Sequence, residues 1–290
     1  MRARLKKALI AVATTVTVAA SLVAGTAGAS SAQAAGLPVF AISSDGKLMA
    51  YFDTATPNVL GWVRLVQGLT CGETSLIGID FRVQDGVLYG VGNKGCIYTI
   101  STPPKTPDVV LTKVSQLSIP LYGKDFGVDF NPAADRLRVI SDNGQNLRHN
   151  LATHSTIEDT ALTTPPISGR TSGVTAAAYT NNDLNPDTAT TLFDIGTATD
   201  QVLIQAPANN GLLSPTGALG VNAGPIAGFD IFSELTNGKT TSVSAFAVLN
   251  PAAASSPSTF YTVNLLTGAA TKVGDFPLPI GDIAVALDTY

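Results

Sequence analysis

Asp80, Asp129 and Asp230 occupy the same place in three similar apolar segments, "LIGIDF", "DFGVDF" and "IAGFDIF". Two further segments, "TSGVTAAAY" and "IGDIAVAL", align with these and carry Thr175 and Ala284 at that place. If the segments converge, three carboxylates brought together would raise one another's pKa or recruit a cation. The expected role is structural: each aspartate would accept hydrogen bonds from backbone groups of the neighbouring segment, satisfying buried donors. The enzymatic alternative is a hydrolase or lyase, glycosidase-like, that uses these aspartates at a central channel.

Other constellations fall short of a recognisable chemistry. A serine hydrolase needs a histidine base held by a carboxylate, often with a Gly-x-Ser-x-Gly elbow; in "GRTSG", Gly169 to Gly173, Ser172 stands one position too late. The two histidines, His149 and His154, have no evident nucleophile beside them and are expected at the surface. A glycosidase needs two carboxyl groups about 5 to 9.5 Å apart. The three glutamates are placed before a first strand (Glu73), in or near a fourth strand (Glu158) and beyond the far end of a first strand (Glu234), so they should not converge. Asp183, Asn185 and Asp187 are spaced like the start of a calcium loop, but Thr188 stands where the turn glycine belongs and Asp194 where the bidentate glutamate belongs. Asx turns explain the same residues, so no metal and no cofactor are expected.

The elements that must position these residues repeat. The aligned segments begin at Gly78, Gly127, Gly173, Gly228 and Asp282, with offsets of 49, 46, 55 and 54. Each continues through a turn, a second strand ("VLYGV", "RLRVI", "TTLFDI", "SAFAVL"), a Gly- or Asn-rich turn and a third strand ("CIYTIS", "NLRHN", "QVLIQ", "FYTVN") before a more variable fourth. A period near 50 with four strands per unit predicts a β-propeller. "PVFAIS", "KLMAYFD" and "VLGWVRLV" match second, third and fourth strands with no first strand ahead of them, and "IGDIAVALD" is a first strand with nothing after it. Pairing the C-terminal strand with those three closes a five-bladed, all-β ring and covers sheet edges. Solenoid and sandwich readings stay open, because a period alone does not prove closure.

"GVDFNPAADRLRVISDNGQNLR", "AAAYTNND", "TTLFDI", "GALGV" and "FYTVNLLTGAATKVG" resemble the recurring segments of a secreted bacterial family known only as a domain of unknown function with propeller-like repeats. The resemblance spans most of the chain after its leader. It carries no assigned chemistry and transfers no functional residue.

The leader itself is residues 1–34. Arg2, Arg4, Lys6 and Lys7 precede an apolar run that ends in small residues with Ala-x-Ala patterns at Ala27 to Ala29 and Ala32 to Ala34, the pattern of a secretory signal peptide. Threonines and a serine interrupt the run, leaving it short of a membrane span. With the four leader cations removed, 13 of the 17 basic side chains face 21 acidic ones, a net charge of −8. Nucleic acid and anionic membrane surfaces are therefore disfavoured as partners. Residues 35–290 can form one large domain. Export places Cys71 and Cys96 in an oxidising compartment, where a disulfide between them is expected.

The composite expectation is an extracellular, monomeric binding or scaffold module. Its ligand, of the cell exterior or envelope, would meet loops on one face of the ring, with Lys124, Asp125, Asp142 and Asn143 as candidate binding residues. N-terminal sequencing of the exported protein should find a chain beginning near Ser30 or Ala35; recovery of an intact Met1 would remove the leader.

Overall fold

Antiparallel strands in groups of four make up the computed structural model, which describes residues 36–251 and 257–288. The predicted leader and the middle of the Asn250–Ser258 loop lie outside the described residues. The first group in sequence is incomplete: β1 (Pro38–Ser43), β2 (Leu48–Asp53) and β3 (Leu60–Gln67). Three complete groups follow as β4 (Leu76–Arg82), β5 (Val87–Gly92), β6 (Cys96–Ser101) and β7 (Val109–Gln116); β8 (Phe126–Asn131), β9 (Arg136–Ser141), β10 (Asn146–Asn150) and β11 (Ser155–Glu158); and β12 (Val174–Tyr179), β13 (Leu192–Gly196), β14 (Gln201–Gln205) and β15 (Leu213–Ala218). A fourth complete group holds β16 (Ala223–Thr236), β17 (Lys239–Pro251), β18 (Thr259–Val263) and β19 (Ala270–Asp275), and β20 (Ile280–Val285) comes last.

The incomplete group is completed by that last strand. β20 pairs antiparallel with β1, from Val39 opposite Val285 to Ser43 opposite Ile280, giving the order β20-β1-β2-β3. β3 also touches β7 in a short parallel pairing of Val66 and Gln67 with Val109 and Val110, which merges two groups into an eight-stranded sheet. The fold is all-β and propeller-like. Among the described residues, no helix is long and apolar enough to cross a membrane.

Residue type follows position within each group. The first strands (β4, β8, β12, β16 and β20) are neighbours of one another in cyclic order. They are buried on both faces and read as nearly continuous apolar runs, whereas outer β7 alternates between buried and solvent-facing residues. Glycine is required where first strands approach most closely. A Cβ on Gly127 would lie 2.6 Å from the Ala177 nitrogen, and one on Gly228 would lie 2.6 Å from the Asp282 Cα. β16 is longer than its counterparts and extends through Glu234, which therefore lies within the first strand and not beyond its end. It joins β17 by the two-residue turn Asn237-Gly238, both at positive φ, as a tight hairpin needs.

Five apolar layers fill the spaces between consecutive groups. Ile42 and Met49 pack with Leu76, Ile79 and Tyr98. Tyr89 and Ile97 pack with Val128, Phe130 and Leu147. Ile140 and Leu162 meet Ala177, Leu192 and Leu203, while Phe193 and Ile195 meet Phe229, Ile231 and Ala247. The fifth layer joins the last group to the first, with Phe246, Val248 and Phe260 against Val39, Ala41 and Phe52.

The predicted disulfide is present. Cys71 lies in the connection leading to β4 and Cys96 opens β6, with Cα atoms 6.5 Å apart. Glu73 braces the same corner, its Oε1 accepting the backbone N–H groups of Cys96 at 2.7 Å and Lys94 at 3.1 Å. A bond linking residues separated by 25 positions contributes about 3 kcal/mol in the chain-entropy picture. The double substitution Cys71→Ser and Cys96→Ser should lower the urea unfolding free energy by about that amount; an unchanged midpoint would show that the link is dispensable.

Candidate functional site

The first strands bring Asp80, Asp129 and Asp230 together in the interior, each 3–5% exposed, with one oxygen of each within 4.8 Å of the others. A fourth carboxyl, Asp282, is equally buried. Each carboxylate takes an amide from the next strand in the cycle. Asp80 Oδ2 accepts Phe130 N–H at 2.7 Å, Asp129 Oδ1 accepts Tyr179 N–H at 3.0 Å, and Asp230 Oδ2 accepts Val285 N–H at 2.5 Å. Asp282 Oδ2 completes the passage from β20 to β4 by accepting Ile79 N–H at 2.9 Å. The remaining oxygens of Asp80 and Asp230 accept the amides of Phe81 and Ile231, both at 2.6 Å.

This pattern corrects the alignment of the third unit. Tyr179 presents its amide to Asp129 as Phe130 does to Asp80, so the residue equivalent to the aspartates is Ala178, not Thr175. Thr175 lies three residues earlier and is itself the unpaired residue of a register shift between Val174 and Ala176. In the fifth unit Ala284 stands at the aspartate position, and Asp282 fills the place that glycine holds in β4, β8 and β16.

Where the first strands begin, they surround a depression of about 390 Å³. All five contribute to its wall, through Leu76, Phe126, Thr175, Ala227 and Gly281 among others. Its polar rim is formed by Ser43 and Asp45 of the β1–β2 turn, Asn93 of the β5–β6 turn, and Lys124 and Asp125 before β8. Burial, and after it the charge of Asp142, raises the Asp125 pKa. The hydroxyl of Ser43, 2.6 Å from the Asp45 carboxylate, is the chief cause that lowers Asp45.

The four candidate binding residues separate into two pairs. Lys124 and Asp125 line the depression, whereas Asp142 and Asn143 are not part of its lining. Asp142 Oδ1 accepts the Lys124 amide at 2.8 Å, and the Asp142 amide donates to the Asp125 carbonyl at 2.9 Å. Gln145 is an internal strut, accepting from Tyr122 N–H and donating to the Pro120 carbonyl. The calcium-like residues form Asx turns: Asp183 Oδ1 accepts Asn185 N–H, Asn185 Oδ1 accepts Asp187 N–H, and the other Asp183 oxygen is held by Thr240.

Three features were not legible in the sequence. His149 is fully buried, not at the surface, and it shares a hydrogen-bond partner, Ser115, with the exposed His154. Arg138 and Asp159 form a buried ion pair at 2.8 Å between the second and third complete groups. Asp194 faces the same layer, and both its oxygens are buried without a hydrogen-bond partner among the described residues. Burial drives its pKa well upward against the pull of Arg138. Histidine and aspartate at these strand positions carry no local mark of burial, which is set by residues distant in sequence.

Burial is also the first cause that raises the interior carboxyls. Asp80, Asp129 and Asp282 lie well above their ordinary range, each further raised by neighbouring carboxylates, and Asp230 is pushed up to about 7. A raised carboxyl stabilises the fold while protonated. For Asp230 that contribution is whole below 3.8 and is lost as pH rises through about 7. His149 acts in the opposite sense: burial and His154 push it down to about 4, so its contribution is lost only as pH falls from 6.5 through about 4. Between about pH 8 and 6.5 the carboxyls therefore dominate, and the melting temperature should rise on acidification. Asp230→Asn, which keeps only one acceptor oxygen for two amides, should shrink that rise and cost about 1.5–3 kcal/mol. A falling melting temperature in the parent over this interval would show ionised carboxylates.

No curated protein matches the chain in sequence. Among solved structures, a protein of unknown function from Bacteroides thetaiotaomicron is similar with a TM-score of 0.51 at 13% identity, over 88% of this chain and 68% of the other. TolB from Acinetobacter baumannii aligns with a TM-score of 0.44 at 10% identity, covering 88% of this chain and 67% of TolB. Glutaminyl cyclase from Myxococcus xanthus aligns with a TM-score of 0.42 at 10% identity, covering 87% and 96%. At these identities the likeness concerns the fold alone. Residues 48–284 match the profile of a domain of unknown function, DUF4394, and the chain belongs to that family.

Proposed function

We propose that the chain is an exported five-bladed β-propeller that acts as a binding module, taking an extracellular or cell-envelope ligand in the depression at the ring axis. Five-blade closure is supported by the β1–β20 register and by the apolar layer that joins the last group to the first. Export is supported by the basic, apolar and small-residue order of the leader and by the disulfide.

The observation that carries the binding role is the depression itself. Five rigid strands converge on it, and short turns held by backbone hydrogen bonds place Lys124, Asp125, Asp45 and Asn93 around one opening. A rim with charges of both signs and amide groups suits a polar ligand that both donates and accepts hydrogen bonds. The enzymatic alternative rests on the interior aspartates. Against it stand the backbone amides that both oxygens of Asp80 and Asp230 accept, which favour a strand-linking role for these carboxyls.

Lys124→Ala combined with Asp125→Ala should leave the melting temperature within a few degrees of the parent, because both side chains face the opening. The pair should abolish capture of partners from the native secretome or envelope, read by crosslinking and mass spectrometry. A folded double variant that retains every partner would refute the reading. Asp142→Ala supplies the contrast: it should lower stability by about 1 kcal/mol through the lost bond to the Lys124 amide.

A further inference from the structure

The chain has two histidines, and they meet at one hydroxyl group. His149 lies on β10, with its side chain enclosed; His154 lies in the turn between β10 and β11, exposed and at φ +53°. Ser115, near the end of β7 in the neighbouring sheet, places its Oγ 2.8 Å from His149 Nε2 and 2.8 Å from His154 Nδ1. The two ring nitrogens are therefore no farther apart than twice a hydrogen-bond length.

The far nitrogen of His149 has a hydrogen-bond partner behind it. His149 Nδ1 lies 2.9 Å from Thr156 Oγ1, which already accepts the backbone N–H of Ser118 at 2.9 Å. In the tautomer that carries its proton on Nδ1, donated to Thr156, His149 presents the Nε2 lone pair to the Ser115 hydroxyl, which His154 shares. An oriented imidazole of this kind is how proteins prepare a histidine as a metal ligand. Divalent zinc, copper and nickel favour such nitrogen donors, with bonds of about 2.0–2.1 Å for zinc.

An ion would enter beside His154, which borders a surface cleft with Arg82, Tyr89 and Val114. Arg82 does not leave that cleft positive. Its guanidinium forms a two-pronged pair with Asp135, at 2.7 Å on each side, and a further ion pair with Asp85. Two carboxylates thus outweigh one guanidinium at the entrance.

We propose that His149 Nε2 and His154 Nδ1, with the Ser115 hydroxyl or solvent completing the shell, bind one divalent transition-metal ion of the zinc, copper or nickel class. The ion would link a hairpin of one sheet to the outer strand of the next. This site is separate from the axial depression and does not depend on ligand binding there.

The purified exported chain, stripped with a chelator and titrated with Zn²⁺ and separately with Cu²⁺, should bind one ion and melt at a higher temperature. Bound Cu²⁺ should show hyperfine coupling to imidazole nitrogen in its electron paramagnetic resonance spectrum. His154→Asn, which keeps a residue tolerant of positive φ in an exposed turn, should weaken binding about tenfold or more. Asp129→Asn, confirmed as folded by circular dichroism, should bind as the parent does. The proposal fails if the parent shows no saturable binding, if His154→Asn binds as tightly as the parent, or if Asp129→Asn alone abolishes binding, which would put the ion among the interior aspartates.

Discussion

Each first strand has a hydrogen-bonding neighbour within its own sheet on one side only, and its other edge faces the buried interior. Backbone amides along that edge have no water to bond, and leaving one unpaired costs about 1–3 kcal/mol. Aspartate resolves this in three of the five strands by reaching across to the next strand, and Asp282 does so from a different position. Burying four carboxyls has its own cost. Burial raises their pKa values and the accepted amides pull them back down, so each carboxyl balances the cost of its own burial against the amides it satisfies.

The same closeness dictates composition. Gly127 and Gly228 stand where a side chain would strike the neighbouring backbone, and Ala176 to Ala178 fill β12 with the smallest side chains that still cover apolar surface. Bulk enters elsewhere, through Phe130 and Phe229 on the first strands and Phe193, Phe246 and Leu137 one strand outward, which together build the layers between sheets.

Much of this was readable because strand order, turn chemistry and the recurring aspartate are local patterns. The period, the four-strand unit and the pairing of the last strand with the first three all follow from residue order. The third unit misled because glycine serves two needs. Gly127 is small to admit a neighbour, whereas Gly173 adopts φ +72° in a turn, so aligning one with the other shifted the aspartate position from Ala178 to Thr175. The burial of His149 and its meeting with Ser115 depend on two strands 34 residues apart coming together across a sheet boundary. Likewise, Lys124 and Asp142 look alike as loop residues, and only the fold separates a side chain facing an opening from one holding up the loop behind it.

The pairing of β20 with β1 also sets how the molecule bears mechanical load. The entry to β1 and the exit from β20 lie side by side, with Val39 opposite Val285. Tension applied through the flanking segments would pull the two strands apart crosswise, opening the backbone hydrogen bonds one after another from that end. An arrangement in which the strands were dragged lengthwise past each other would load all the bonds together. The fold is therefore mechanically weakest at this pairing when it is held through these two strands.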